Sequence, residues 1–412
     1  MRWLFHAPPA RFARPPALPL LVWIAISGTF PIHLFVPVLP DAARDLHVSR
    51  GVIQYAITAY LIGLSSGQIL IGPLSDRFGR RPVLVTGLLV YVLGSLGAAV
   101  APAMRWLILA RVVQAIGGCA GLVLGRAIAR DTTHPENVTR KLAVLAAAMS
   151  LGPALAPLIG VALAGRFGWR GMFAILAVVS AVMLAITVLT LPETNVTRAP
   201  MAARAYVRKW TGLLRRGVFV RNCLGGAFAT TSFYAFVANA PFIFRARFGF
   251  STHAIGALYV LVVGSLTAGF LIATAIAGGK RSHRIAIISS LVMTSAAALS
   301  LVIELLGATS AVEYIGLVML LTCGIGVCGP FALADAVNAD PTAIGAASGL
   351  YGCVQMAAGA LIVVVLGMIP ASPAVATAIV MLAACGFALV CFATGKAEDR
   401  PRPLSDVALP KA

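Results

Sequence analysis

Twelve apolar stretches, each about as long as a bilayer-crossing helix, divide this chain, and charge is concentrated in the gaps between them. They fall at roughly 18–40, 50–73, 82–101, 105–129, 140–164 and 170–191, then at roughly 218–244, 252–277, 285–306, 313–336, 343–368 and 372–395. A bilayer-spanning helix needs about 20 predominantly apolar residues. Composition agrees with that solvent: of 412 residues 60% are hydrophobic and 11% charged, and mean hydropathy is +0.94. A soluble chain carries about 25% charged residues to cover its surface. The expectation is an all-α integral membrane protein of twelve transmembrane helices in two six-helix bundles.

The organisation follows from the gaps. A tail at 1–17 precedes a bundle at 18–191, and a basic connector at 192–217 leads to a second bundle at 218–395 and a tail at 396–412. The basic, proline-rich N-terminus has no A-x-A-like site after a short apolar region, so the first span reads as retained. Lys and Arg resist translocation. With the N-terminus inside, 23 of the 32 fall in inside segments, seven outside, and Arg111 and Arg126 lie within span 4. Both termini are therefore expected in the cytoplasm. The net charge of +19 is spread between spans and not along one face, so nucleic acid is not an expected partner.

A faint repeat supports the two-bundle reading. Residues 49–68, SRGVIQYAITAYLIGLSSGQ, align with 251–270, STHAIGALYVLVVGSLTAGF, and Ser49, Ile53 and Gly67 match Ser251, Ile255 and Gly269. Each segment is the second span of its half. The seven cysteines lack metal-ligand spacing and read as small packing residues. No metal, cofactor or disulfide framework is expected. No convergent nucleophile, acid pair or metal cluster suggests an enzyme.

Local motifs carry more. GPLSDRFGRRP (72–82) joins spans 2 and 3 with Gly72, Asp76, Gly79, Arg80 and Arg81 at fixed spacing. Gly72 would let helices approach closely, Gly79 would take a positive-φ turn, and Asp76 would accept hydrogen bonds or pair with an Arg. Span 4 carries ARVVQAIGG (110–118), with Arg111 and Gln114 inside it. A cation inside a span is costly unless it faces a cavity or a partner; the bland reading of Arg111 is snorkelling to the outer interface. Span 5 carries LGPALAPLIG (151–160), where Gly152, Pro153, Pro157 and Gly160 should kink the helix and allow close packing.

Together these segments resemble the major facilitator superfamily: the first its motif A, the second its motif B, the third, more loosely, its antiporter motif C. With PVLP (37–40), GRAIARD (125–131), GWR (168–170) and GAASGLYGCVQ (345–355), the chain looks like the Bcr/CflA drug-resistance transporters. The resemblance implies a major facilitator fold and a conformational latch at motif A. It also implies drug/H⁺ antiport, with Arg111 tied to proton coupling. The second-half counterpart of motif A, AGGKRSHR (277–284), lacks an acid, so a single latch is expected.

His33, in TFPIHLFVPVLP (29–40), stands where the resembling transporters carry an aspartate. Its ordinary pKa near 6.5 suits proton exchange near neutrality; a structural histidine near the outer interface is the alternative. Tyr60, Gln68, Phe233, Tyr234, Phe236, Asn239 and Glu304 complete the candidate cavity, each with packing or an interfacial position as its alternative. Arg126, Arg130 and Asp131 are expected to pair with Asp76. The expected function is proton-coupled export of small amphiphilic drugs of the bicyclomycin, chloramphenicol or sulfonamide type across a bacterial inner membrane, by a monomer powered by the proton gradient. A mostly apolar cavity with few acids suits uncharged or zwitterionic substrates. Export of a metabolite such as a nucleoside or sugar is the alternative, and a non-transporting sensor is disfavoured by the intact motif A.

Overall fold

In the computed structural model the described residues are 16–133, 138–195, 203–276, 282–307, 310–340 and 343–394, and their regular elements are helices. Most of the N-terminal tail (1–15), the C-terminal tail and AGGKR (277–281) lie outside the described residues.

Proline punctuation shapes the first span. It consists of α1 (Leu18–Ile26), α2 (Phe30–Phe35), a 3-10 turn (Val36–Val38) and α3 (Leu39–Asp45). Pro31, Pro37 and Pro40 each stand at the start of a new segment, where the missing N–H breaks no helical bond. The axis bends by 58° between α1 and the segment that follows. Then come α4 (Arg50–Phe78), α5 (Arg80–Ala99), α6 (Met104–Asp131) and α7 (Val138–Thr190).

Two turns are tighter than the sequence suggests. The loop expected near 76–81 is reduced to Gly79, which at φ 101° and ψ 157° separates α4 from α5. The 53-residue α7 is two helices interrupted at Gly168, φ 69°, a left-handed conformation that glycine adopts at no steric cost. The chain reverses there, because Leu145 before the break and Met183 after it share one apolar cluster.

A linker helix, α8 (Ala203–Leu214), precedes α9 (Gly217–Phe248), α10 (Thr252–Ile276), α11 (Ser282–Leu305), α12 (Ala311–Val337), α13 (Ile344–Met368) and α14 (Pro373–Ala393). Ten helices among the described residues are long and apolar enough to span singly, and the bent first pair gives an eleventh. The break at Gly168 divides one of the ten, which makes twelve. Helix α8 falls within the expected connector; its signal was Tyr206, Trp210 and Leu213 at helical spacing.

The repeat has structural content. The Ser49 and Ser251 hydroxyls cap α4 and α10 by accepting from Val52 N and Ala254 N at 3.4 and 3.2 Å. Ile53 and Ile255 are buried. A Cβ on Gly67 would meet Cys119 of α6, and one on Gly269 would meet the Cys323 carbonyl of α12. In each half, then, the second span packs on the fourth through a glycine, the close approach that joins helices in lipid.

The linker face is the side carrying Gly79 and α8. One apolar core runs through both halves from the middle of the molecule to the opposite face, and in the second half it continues to Ala286 and Phe392 near the linker face. Toward the linker face it forks into a cluster of the first half, including Leu21, Leu84 and Leu124, and one of the second, including Phe219, Leu350 and Tyr351. The halves share their apolar core toward the opposite face; toward the linker face their clusters are separate, and the α4–α13 seam joins them through Ser65 and Cys353, 2.9 Å between hydroxyl and carbonyl.

Candidate functional site

Arg111 is the largest fully buried side chain among the described residues, about 10 Å along α6 from its start at 1.5 Å per residue. An ion moved out of water costs several kcal/mol unless compensated. No carboxylate compensates this one among the described residues. Its Nη1 donates to Gln114 Oε1 at 2.6 Å and its Nε to the Ala56 carbonyl at 3.5 Å. Three rings complete the cage, with the guanidinium carbon 4.1 Å from the centroid of Tyr60, 5.5 Å from Phe35 and 5.6 Å from Phe173. Desolvated cation–π contacts contribute about 2 kcal/mol each, so the rings offset much of the burial. The Nη2 atom has no partner. Gln114 is held in turn by donating to Ser95 Oγ at 2.9 Å.

Tyr60 does a second job. Its hydroxyl donates to the Gly28 carbonyl at 2.8 Å, in the break between α1 and α2, where helical bonding lapses. His33, on α2, is buried at 6% exposure and makes no hydrogen bond among the described residues. Phe35, two residues on, faces Arg111; no contact between His33 and Arg111 is found among the described residues.

On the opposite face the candidate Asn239 joins a network with polar groups that sequence reasoning passed over. Gln54 of α4 donates to Asn239 Oδ1 of α9 at 2.7 Å, and Asn239 donates to Thr377 of α14 at 3.0 Å. At the rim Arg245 of α9 meets Asp41 of α3 at 2.8 Å. Arg170 pairs with Asp45, which also accepts from Trp169 Nε1 at 3.0 Å. Gln54 was legible as a lone amide in an apolar run and Asn239 as a candidate, but not their pairing. A shallow pocket bounded by Pro40, Arg44, His47 and Arg245 lies on this face and contains none of the candidate residues.

On the linker face, Arg80 Nη1 donates to Asp76 at 2.7 Å, and its Nε to Asp131 at 3.3 Å. Arg80 thus joins Asp131 to Asp76, whereas Arg126 and Arg130, also expected to pair with Asp76, do not reach it; Arg130 lies 3.9 Å from Asp131. The backbone N–H groups of Arg80 and Arg81 donate to Glu193 at 2.9 and 3.3 Å, binding the start of α5 to the end of α7. Arg81 also donates to the Val188 carbonyl at 2.8 Å. Tyr206 of α8 donates to Asp76; burial and then that carboxylate push its phenol above the usual range, so it stays a donor. Gly72 departs from expectation: a Cβ there would meet nothing within 4 Å. The close approach on α4 occurs earlier, at Gly63 and Gly67 against Ala115 and Cys119.

The antiporter-like segment lies at the seam. Gly160 admits the Leu34 carbonyl of α2, 2.1 Å from where a Cβ would stand, and the Pro157 carbonyl lies 3.7 Å from the Cβ position of Gly256 on α10. Gly152 faces Ile26. The backbone stays helical through Pro153 and Pro157, and the break falls at Gly168.

The remaining candidates scatter. Gln68 is wedged against Gly349 and Gly352 of α13, and Tyr234 against Gly359. Phe233 stacks on Phe236 at 6.0 Å, while Phe236 also packs into the second half's aromatic core with Tyr259 and Tyr314. Glu304 sits at the end of α11, its side chain 2% exposed and paired with Arg247. Glu313 closes a capping box on Ser310, a pattern visible as S-x-x-E.

Two bundles of membrane-length helices, with a caged cation buried in the first and a polar latch on one face, define a membrane transporter and not an enzyme. The chain belongs to the Major Facilitator Superfamily, whose profile it matches over residues 21–363. It is 25% identical to the bicyclomycin resistance protein homolog of Haemophilus influenzae over 89% of this chain and 92% of that one. It is 33% identical to multidrug resistance protein D of Escherichia coli, over 44% of this chain and 46% of that protein. Its fold matches a bacterial homolog of the lysosomal transporter Spinster, solved inward-facing and unoccupied, at TM-score 0.71 and 16% identity, covering 94% and 98% of the two chains.

Proposed function

We propose that this transporter exports small amphiphilic drugs in exchange for protons, as a monomer in a bacterial inner membrane. The linker face is then cytoplasmic, and the conformation is inward-open. The relatives named for bicyclomycin and multidrug resistance support drug export. The observation that carries proton coupling is Arg111, caged in aromatic rings with no acid among the described residues to neutralise it. A cation without a fixed counter-ion makes its surroundings respond to any charge that arrives nearby. His33, on the neighbouring first span and two residues from Phe35 of the cage, serves as proton carrier in place of a carboxylate. Substrate and proton favour different orientations of the two bundles, which is what couples their movement.

The test is growth of an efflux-deficient bacterium expressing the chain across a panel of bicyclomycin, chloramphenicol, florfenicol and sulfonamides. Resistance to at least one is expected. Sensitivity to all, with measurable export of a nucleoside or sugar, would replace the drug reading with metabolite export.

A further inference from the structure

Arg126 is a charged residue within span 4 that neither the latch nor the aromatic cage absorbs. It lies on α6, 15 residues beyond Arg111 and on the same helical face as Arg111, Ala115, Cys119 and Leu122. That face meets α4 and the first span: Ala115 and Cys119 stand against Gly63 and Gly67, and Leu122 against Gly28. It is distinct from the side bearing the exposed Trp106 and Leu109. Around Cys119 the face is sealed against Gly67 of α4, two residues beyond Ser65, whose hydroxyl donates to the Cys353 carbonyl of α13. Two turns further toward the linker face the common core has forked. There Arg126 is exposed, at the parting of the halves.

No carboxylate pairs with it among the described residues. Asp41, Asp45, Glu304 and Glu313 belong to the opposite face; Asp76, Asp131 and Glu193 form the latch. Asp335 accepts from Ser282 at 3.2 Å, and Asp340 pairs with Arg216 at 3.0 Å. The walls of the cleft thus present a free guanidinium without a fixed acid, between low-dielectric surfaces that focus its field.

We propose that Arg126 is an anion-anchoring residue of the cytoplasmic vestibule, and that the preferred substrates are amphiphiles bearing a carboxylate or comparable anionic group. Lipophilic cations are disfavoured. The planar fork of Arg suits bidentate capture of such a group, while the apolar remainder of the substrate enters the cleft. This rests on the export reading and deepens it.

The test uses everted membrane vesicles energised to an acid interior, with three probes: a fluorescent carboxylate dye, its uncharged methyl ester, and ethidium. Wild type should accumulate the carboxylate in preference to the ester and leave ethidium outside. In Arg126→Gln the carboxylate-to-ester ratio should fall about tenfold, the equivalent of one charge-assisted hydrogen bond. Arg126→Lys should restore most of it. Accumulation of the ester or ethidium in preference to the carboxylate, or an unchanged ratio in Arg126→Gln, would overturn the proposal and leave export standing. Failure of wild type to move any of the three, or any drug of the panel, would overturn both.

Discussion

The Arg111 guanidinium lies 4.1 Å from the centre of the Tyr60 ring, and the hydroxyl of that same ring caps the carbonyl of Gly28 at 2.8 Å. One side chain therefore ties the buried cation to the break in the first span, immediately before the segment that carries His33. Any shift of α2 relative to α6 must disturb the cage, and any change of charge in the cage acts on α2.

Arg111→Ala should abolish export and lower thermal stability in detergent, because it leaves the buried Gln114 Oε1 without its donor. An unsatisfied buried acceptor costs about 1–3 kcal/mol. Arg111→Lys should recover stability better than transport, since an ammonium cannot reach Gln114 and the Ala56 carbonyl as a planar fork does. A thermal melt beside a resistance assay checks both; full resistance in Arg111→Ala would separate the cage from transport.

His33→Ala should reduce export at least tenfold without loss of membrane insertion, and His33→Asp should restore part of it. Immunoblots of the membrane fraction control for insertion. Equal export by His33→Ala and wild type would remove His33 from the mechanism.

Gln54→Ala removes the donor that joins the halves at the closed face. A side-chain hydrogen bond in a membrane interior is worth about 1 kcal/mol, so the balance between orientations should move about fivefold toward the state open at that face. A Gly51→Cys, Gly367→Cys pair, with a Gly51 Cβ 3.9 Å from the Gly367 carbonyl, reports it. Disulfide formation should be rapid in the parent and slower with Gln54→Ala; identical rates would show that Gln54 fastens nothing.

Gly79→Ala should break the latch. At φ 101° and ψ 157° a side chain costs of order 1–3 kcal/mol, and its Cβ would come within 2.3 Å of Glu193 Oε2. Tryptic cleavage at Arg204 and Arg208, exposed on α8, should accelerate several-fold as Tyr206 loses a fixed Asp76. Unchanged cleavage would show that α8 is held by Trp210 and Leu213 alone.

The fold was open to sequence reading because its determinants are local: run length, the prolines of the first span, and a repeat whose Ser and Gly recur in matching roles. The latch was half legible. Asp76, Gly79 and Arg80 were visible as a motif, but Glu193 and Tyr206 reach them from more than a hundred residues away. Gly72 was misread because a motif glycine does not itself say which helix passes nearby. The Arg111 cage was legible in its cation and Tyr60, yet Phe173 comes from the far side of the Gly168 reversal. Glu304 was classed with the cavity because its partner, Arg247, lies 57 residues earlier, at the end of another helix.

Proton exchange tests the central claim most directly. In everted vesicles holding an acid interior, addition of a drug to which the chain confers resistance should release protons in wild type and not in His33→Ala, as read by recovery of a quenched pH dye. Export of that drug with no movement of protons would contradict the account.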